Sequence, residues 1–370
     1  MKVQARCKSS VSVPPVTARN DSSHLRLTVL NPGGRDPEQK FHSVPDPDEG
    51  PHPPINLHAF AACTFGAFHR DTRRAAGENT PVLLLLRSDF RASERALIDL
   101  KREGRTVAVS LKETGLHQIA HQLRDPGKLS RFMKIMTLAD ACIATTPEAA
   151  EIYQRIRSKQ DPATVAFIAT PYPIEHQRWD FSMPRNEQSG IFVGTREWDV
   201  PSRNHFAVLV VARQLCEATG EPVTVVNLDG YKGRRLLGQL NFPKGKLRLI
   251  EKWTTYPDYL RDVARHKIVL QLDGSHVPGQ VAGDALLCRI PCVGGDGAIE
   301  RIAFSKTCGE GRTINEVASM ALYLLKNPDL HEAVVAESQK RARERLSFQA
   351  VRTQLAKFFA NVQGTSACEQ

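Results

Sequence analysis

The sequence lacks any apolar run near the ~18 residues that a membrane span needs, the longest candidate being Val82–Leu86. Its N-terminus also lacks the roughly 7–15 apolar residues of a signal peptide. These absences argue against insertion and export and make the cytoplasm the expected compartment. The eight cysteines include no CxxC pair, and no histidines cluster at zinc-ligand spacing. Several lie in apolar stretches, which suits reduced thiols acting as small hydrophobes, so neither disulfide nor structural metal is expected. Helix-turn-helix, zinc-finger and RNA-binding motifs are missing too. Despite the net charge of +10, nucleic acid is therefore not the expected partner.

What remains is an ordinary globular composition, 41% hydrophobic and 24% charged over 370 residues, a length that suits two α/β domains. Part of the positive excess is local. Lys232, Arg234, Arg235, Lys244, Lys246, Arg248 and Lys252 stand against Glu251 alone between Tyr231 and Lys252. This is either a solvated basic face or a docking surface for an anionic membrane or nucleic acid.

Residues 1–24 have no apolar periodicity and read as disordered. Residues 25–173 alternate strands with helices, which implies a parallel sheet and one Rossmann-like domain. Its elements include a strand at Leu25–Leu30 followed by Gly33-Gly34, a helix across Ile55–Arg70, strands at Val82–Leu86 and Thr106–Leu111, and a helix capped by Thr146 and opened by Pro147. The proline-rich loop Arg35–Pro54 either covers an acceptor site or is a mobile insertion. Leu129, Phe132, Met133 and Met136 mark one apolar helix face flanked by Lys128, Arg131 and Lys134, fit for packing on the sheet or lying on a membrane. Residues 174–189 form a linker. The pattern restarts over 190–345, and 346–370 close the chain as a helix and tail.

The most informative stretch is Lys267–Arg301. It reads as strand (Lys267–Leu272), glycine-punctuated loop (Gly274–Gly279), helix (Gln280–Arg289) and strand (Pro291–Val293). In a parallel sheet such a loop lies at the carboxyl end of a strand, and the helix start presents free N–H groups to an anion. Asp284, just over a turn into that helix, could accept hydrogen bonds from sugar hydroxyls beside bound phosphates. A nucleotide is the natural ligand, although a buried βαβ corner would carry the same pattern.

The run Gly279-x4-Asp284-Ala285-x5-Pro291-Cys292-Val293-Gly294-Gly295 resembles the donor-binding segment of the retaining glycosyltransferases of family four (group 1), which have the GT-B fold. In that family a first Glu in the loop approaches the donor sugar, and a second Glu in the helix holds the ribose. Here His276 and Asp284 fall at those positions. The resemblance implies an α/β protein of two Rossmann-like domains facing a cleft, with a C-terminal helix crossing back. The acceptor domain would come first and the nucleotide-sugar domain second, and catalysis would need no metal, since no DxD-type acidic motif is evident. Arg196 and Arg203 would neutralise the donor diphosphate, Trp253 would line the base pocket, and Gly279 with Gln280 would form the helix-end phosphate site. Gly33 and Gly34 would lie at the cleft. His276, Lys112 and Glu113 are the candidates for the reacting centre. The implied donor is a UDP- or GDP-sugar used as substrate, with no cofactor, and the acceptor is a glycan, lipid or protein, leaving room for peripheral contact with an anionic membrane. A noncatalytic, nucleotide-binding scaffold of the same fold is the alternative.

Overall fold

The computed structural model describes residues 25–158, 162–195, 198–252 and 254–368. The first half contains β1 (Thr28–Leu30), β2 (Gln39–Lys40), β3 (Ala67–His69), β4 (Val82–Leu86), β5 (Val107–Leu111), β6 (Ala141–Ala144) and β7 (Val165–Phe167). They form one sheet in the order β2-β3-β1-β4-β5-β6-β7, parallel except for β2 against β3. The second half contributes β8 (Ile191–Val193), β9 (Val223–Val226), β10 (Leu247–Ile250), β11 (Ile268–Leu270) and β12 (Cys292–Val293), in the all-parallel order β10-β9-β8-β11-β12. Central strands such as β4, VLLLL, are buried at every residue, as a sheet covered on both faces requires.

The order reverses beside β1 in the first sheet and beside β8 in the second. Such switch points open crevices at the carboxyl ends of the strands. The chain crosses between the halves twice, at adjacent places, because Tyr172 N–H donates to Leu346 O and Tyr172 bridges Ser347. Beyond the second crossing, the helix Phe348–Cys368 returns to the first half. Phe348, Val351, Leu355, Phe358 and Phe359 bury themselves there against Leu27, Val29 and Phe60.

Three expectations change. The expected helix Ile55–Arg70 is a helix only over Asn56–Cys63; the chain then turns at Phe65 (φ +52°) and enters the sheet as β3. Gly66 permits the turn, since a Cβ there would lie 2.0 Å from Leu27 O. In the helix Pro126–Leu138 the covered face carries Phe132, Ile135 and Met136, while Leu129 and Met133 are exposed. The loop over residues 35–54 contributes β2 and then straps onto later parts of the chain: Trp179 Nε1 donates to Pro45 O at 2.9 Å, and Arg261 pairs with Asp48 at 3.2 Å.

Three of the seven basic residues in the stretch Tyr231–Lys252 are compensated, by the pairs Lys232–Asp199, Arg234–Glu251 and Arg248–Asp262. Among the described residues no helix is long and apolar enough to cross a membrane. The six cysteines from Cys63 to Cys308 are free and buried.

Candidate functional site

A cavity of about 450 Å³ lies where the carboxyl edges of the two sheets meet. The second half supplies Gly194 and Thr195 after β8, Gln271 and Asp273 after β11, and the start of the helix Gln280–Leu287; the first supplies Lys112, Glu113 and Thr114 after β5. Gly279 caps that helix at φ +94°, a conformation that favours glycine, so the helix begins abruptly, with no side-chain cap and no acceptor among the described residues for the N–H groups of Gln280 and Val281. Gly194 allows the helix to approach, since a Cβ there would lie 2.4 Å from Val281.

One turn into the helix, Asp284 is 2% exposed and lines the cavity. Tyr256 Oη donates to its Oδ1. Burial, and then the neighbouring carboxylate, push the Tyr256 hydroxyl well above its usual pKa, so it remains a donor. Val226, Leu228, Ile250 and the stacked rings of Tyr256 and Tyr259 give this side an apolar wall.

A second buried acid completes the floor, and the sequence reading missed it. Glu300 is 1% exposed, lines the cavity and accepts a 2.6 Å hydrogen bond at Oε1 from Gln271 Nε2, while Oε2 has no partner among the described residues. Burial, helped by the charge of Asp273, raises its pKa to about 8, so the carboxyl is mostly protonated at neutral pH. A Cβ on Gly279 would stand 2.1 Å from Oε2. The cluster Gly294, Gly295 and Gly297 just before Glu300 was the available signal, because glycines at a strand end mark close approach of backbone to another group.

The expected site residues divide. Gly279, Gln280 and Asp284 share the cavity with Arg203, Lys112 and Glu113. Arg203 ends the short turn Pro201–Arg203 and pairs with Asp273. Lys112 Nζ lies 2.6 Å from Asp36 Oδ2. Burial tends to raise the Asp36 pKa, but the Lys112 ammonium and the nearby histidines hold it below the ordinary value. Gly33 and Gly34 do not line the cavity. Gly34 leaves space for Asn31, whose Nδ2 donates to Asp36 Oδ2 at 2.7 Å.

His276 does not line the cavity either. Its backbone is left-handed (φ +48°), and its ring lies between Asp296 Oδ2 (3.3 Å) and Glu148 Oε1 (3.5 Å) of the first half. Glu148 is itself gripped at both oxygens by Arg301, at 2.6 and 2.9 Å. His276 thus belongs to a polar clasp between the halves. Arg196 and Trp253 lie outside the described residues. Among the described residues no group of His, Cys, Asp or Glu side chains is placed to hold a metal ion.

No family model matches the sequence, and no curated protein does. Solved structures do. An α,α-trehalose 6-phosphate synthase from Burkholderia multivorans superimposes with a TM-score of 0.59 at 10% identity, covering 81% of this chain and 76% of that one. The trehalose-6-phosphate synthase OtsA gives 0.57 at 12% identity, over 79% and 75%. A mutant of S. aureus TarM in complex with fondaparinux, alpha-GlcNAc-glycerol and UDP gives 0.56 at 14% identity, over 76% of this chain and 55% of that one. At such identities the likeness is one of fold. With its two parallel sheets, facing cleft and returning C-terminal helix, the chain has the GT-B fold.

Proposed function

We propose that the chain is a retaining glycosyltransferase that moves a sugar from a nucleotide-sugar donor to an acceptor without a metal. The observation that carries this reading is the coincidence, in one interdomain cavity, of a free helix N-terminus and a buried carboxylate one turn further along. Asp284 would accept from the ribose hydroxyls, with Tyr256 steadying its other face. The N–H groups at Gln280, together with Arg203 and Arg196, would meet the charge that develops on the leaving diphosphate, as preorganised donors do in transition states. The apolar wall and Trp253 would hold the base. Lys112 and Glu113 face the cavity from the first half, where the acceptor would enter, and Asp36 orients the lysine.

A UDP-sugar is the first donor to test, since the similar structures include a UDP-forming synthase and a complex containing UDP. The acceptor class is a glycan, lipid or protein. Exposed Leu129, Met133 and Leu138 would carry any peripheral membrane contact, because Arg131 and Lys134 of their helix are engaged by Glu94. Buried free thiols suit the reducing cytoplasm.

The placement of His276 favours a second reading, a nucleotide-binding scaffold without turnover. No carboxylate stands at that position to approach the donor sugar, and the imidazole is turned into the clasp. Calorimetry with UDP, GDP and their sugar conjugates separates the readings when nucleotide release is followed in the same samples. Asp284→Ala should weaken binding about tenfold or more, roughly 1.4 kcal/mol. Binding with release supports the transferase; binding without release, with candidate acceptors present, supports the scaffold. No nucleotide binding would overturn both.

A further inference from the structure

Glu300 stands beneath the start of the helix Gln280–Leu287, its carboxyl packed between two glycines. A Cβ on Gly279 would stand 2.1 Å from Oε2, and one on Gly297 2.4 Å. The turn that caps the helix therefore shuts Oε2 off, without a partner among the described residues, while Oε1 accepts from Gln271 Nε2 at 2.6 Å. A bound donor does not touch that oxygen. It does feel its charge, because the helix end offered to the diphosphate begins at the glycine lying on it.

No cation among the described residues faces the carboxyl. Asp273, from the loop after β11, is paired with Arg203. Asp296, just before the helix Ala298–Ala303, lies 3.3 Å from the His276 ring and accepts from the His276 backbone N–H at 2.9 Å. Arg301, the next residue in that helix, is held by Glu148 and Glu310. Cys292 of β12 and Tyr172 face it as neutral groups, since burial pushes the ionisation of both well up. A negative charge on Glu300 would thus meet only the helix end, the same partner the diphosphate needs. We propose that Glu300 is a positioning residue of the diphosphate site: as a neutral acid it supports the Gly279 turn and leaves the helix end to the donor, and as a carboxylate it competes for that helix end and weakens donor binding. The inference rests on the donor reading above. Burial raises the carboxyl pKa to about 8, so the competition sets in just above neutral pH. By linkage, a donor that binds the neutral form restores the proton where the free protein has lost it, and binding near pH 8 takes up about half a proton.

Calorimetry with UDP-glucose and GDP-mannose on the full chain, from pH 7 to pH 9, tests this, with Glu300→Gln run alongside so that titration of the nucleotide itself cancels. Relative to the variant, the parent should lose about threefold to tenfold in affinity across that range. At pH 8 the parent's binding enthalpy should vary with the ionisation enthalpy of the buffer in the sense of proton uptake, a measurement that stands even if the variant does not fold. Parallel affinity profiles, or a parent enthalpy equal in every buffer, would overturn the role of Glu300 and leave the donor reading standing. Binding of neither sugar nucleotide at pH 7 would overturn the donor reading, and this inference with it.

Discussion

Glu300→Gln should make the protein more stable at alkaline pH while leaving it unchanged in acid. The folded pKa of Glu300 is about 8 against an ordinary 4.5. Between those values the native state keeps a proton that the unfolded chain releases, so native stability falls as pH rises. The contribution is fully present below about pH 4.5 and gone above about pH 8. At ~1.4 kcal/mol per pH unit, this window corresponds to a loss on the order of 5 kcal/mol. Glutamine has the shape of the protonated acid, keeps an oxygen for Gln271 Nε2 and cannot ionise. Denaturant midpoints at pH 5, 6, 7 and 8 should therefore agree at the low end and separate progressively, with the variant higher. Parallel profiles for the two proteins would refute the account of Glu300 as a buried neutral acid.

Gly283→Ala should destabilise the protein by about 1–3 kcal/mol through overpacking, because the added Cβ would stand 2.0 Å from the Tyr172 ring in a buried contact at the crossing between the halves; a thermal melt checks it. Arg301→Gln removes the fork onto Glu148 and should cost about 1–3 kcal/mol while loosening the clasp between the halves, seen as faster amide exchange around His276 and Glu148.

The sheet strands were legible where local pattern is sufficient. Val82–Leu86 is continuous and apolar, and Thr146-Pro147 marks the start of the helix Pro147–Ile156 without tertiary help. The same holds for the helix beginning at Gln280, because the glycine before it and the apolar run within it are local facts. The segment Ile55–Arg70 was misread because its apolar content suits helix and strand alike, and the deciding contact, Gly66 against Leu27, is remote in sequence. In the site, Asp284 was visible as a carboxylate at a fixed offset from a helix start. Glu300 was not, since it reaches the cavity from beyond the next strand. His276 shows the converse: its position in the loop was readable, but Asp296 and Glu148, which turn its ring away, come from distant parts of the chain.

The returning helix Phe348–Cys368 also makes the first half's core depend on a distant part of the chain. Leu27, Val29 and Phe60 owe part of their cover to side chains nearly three hundred residues or more away in sequence. The core of the second half draws on no residue of that helix. Removing that helix would therefore strip an apolar face bare on the first half alone, so the helix is the cover that keeps this sheet from meeting a chaperone or a second chain.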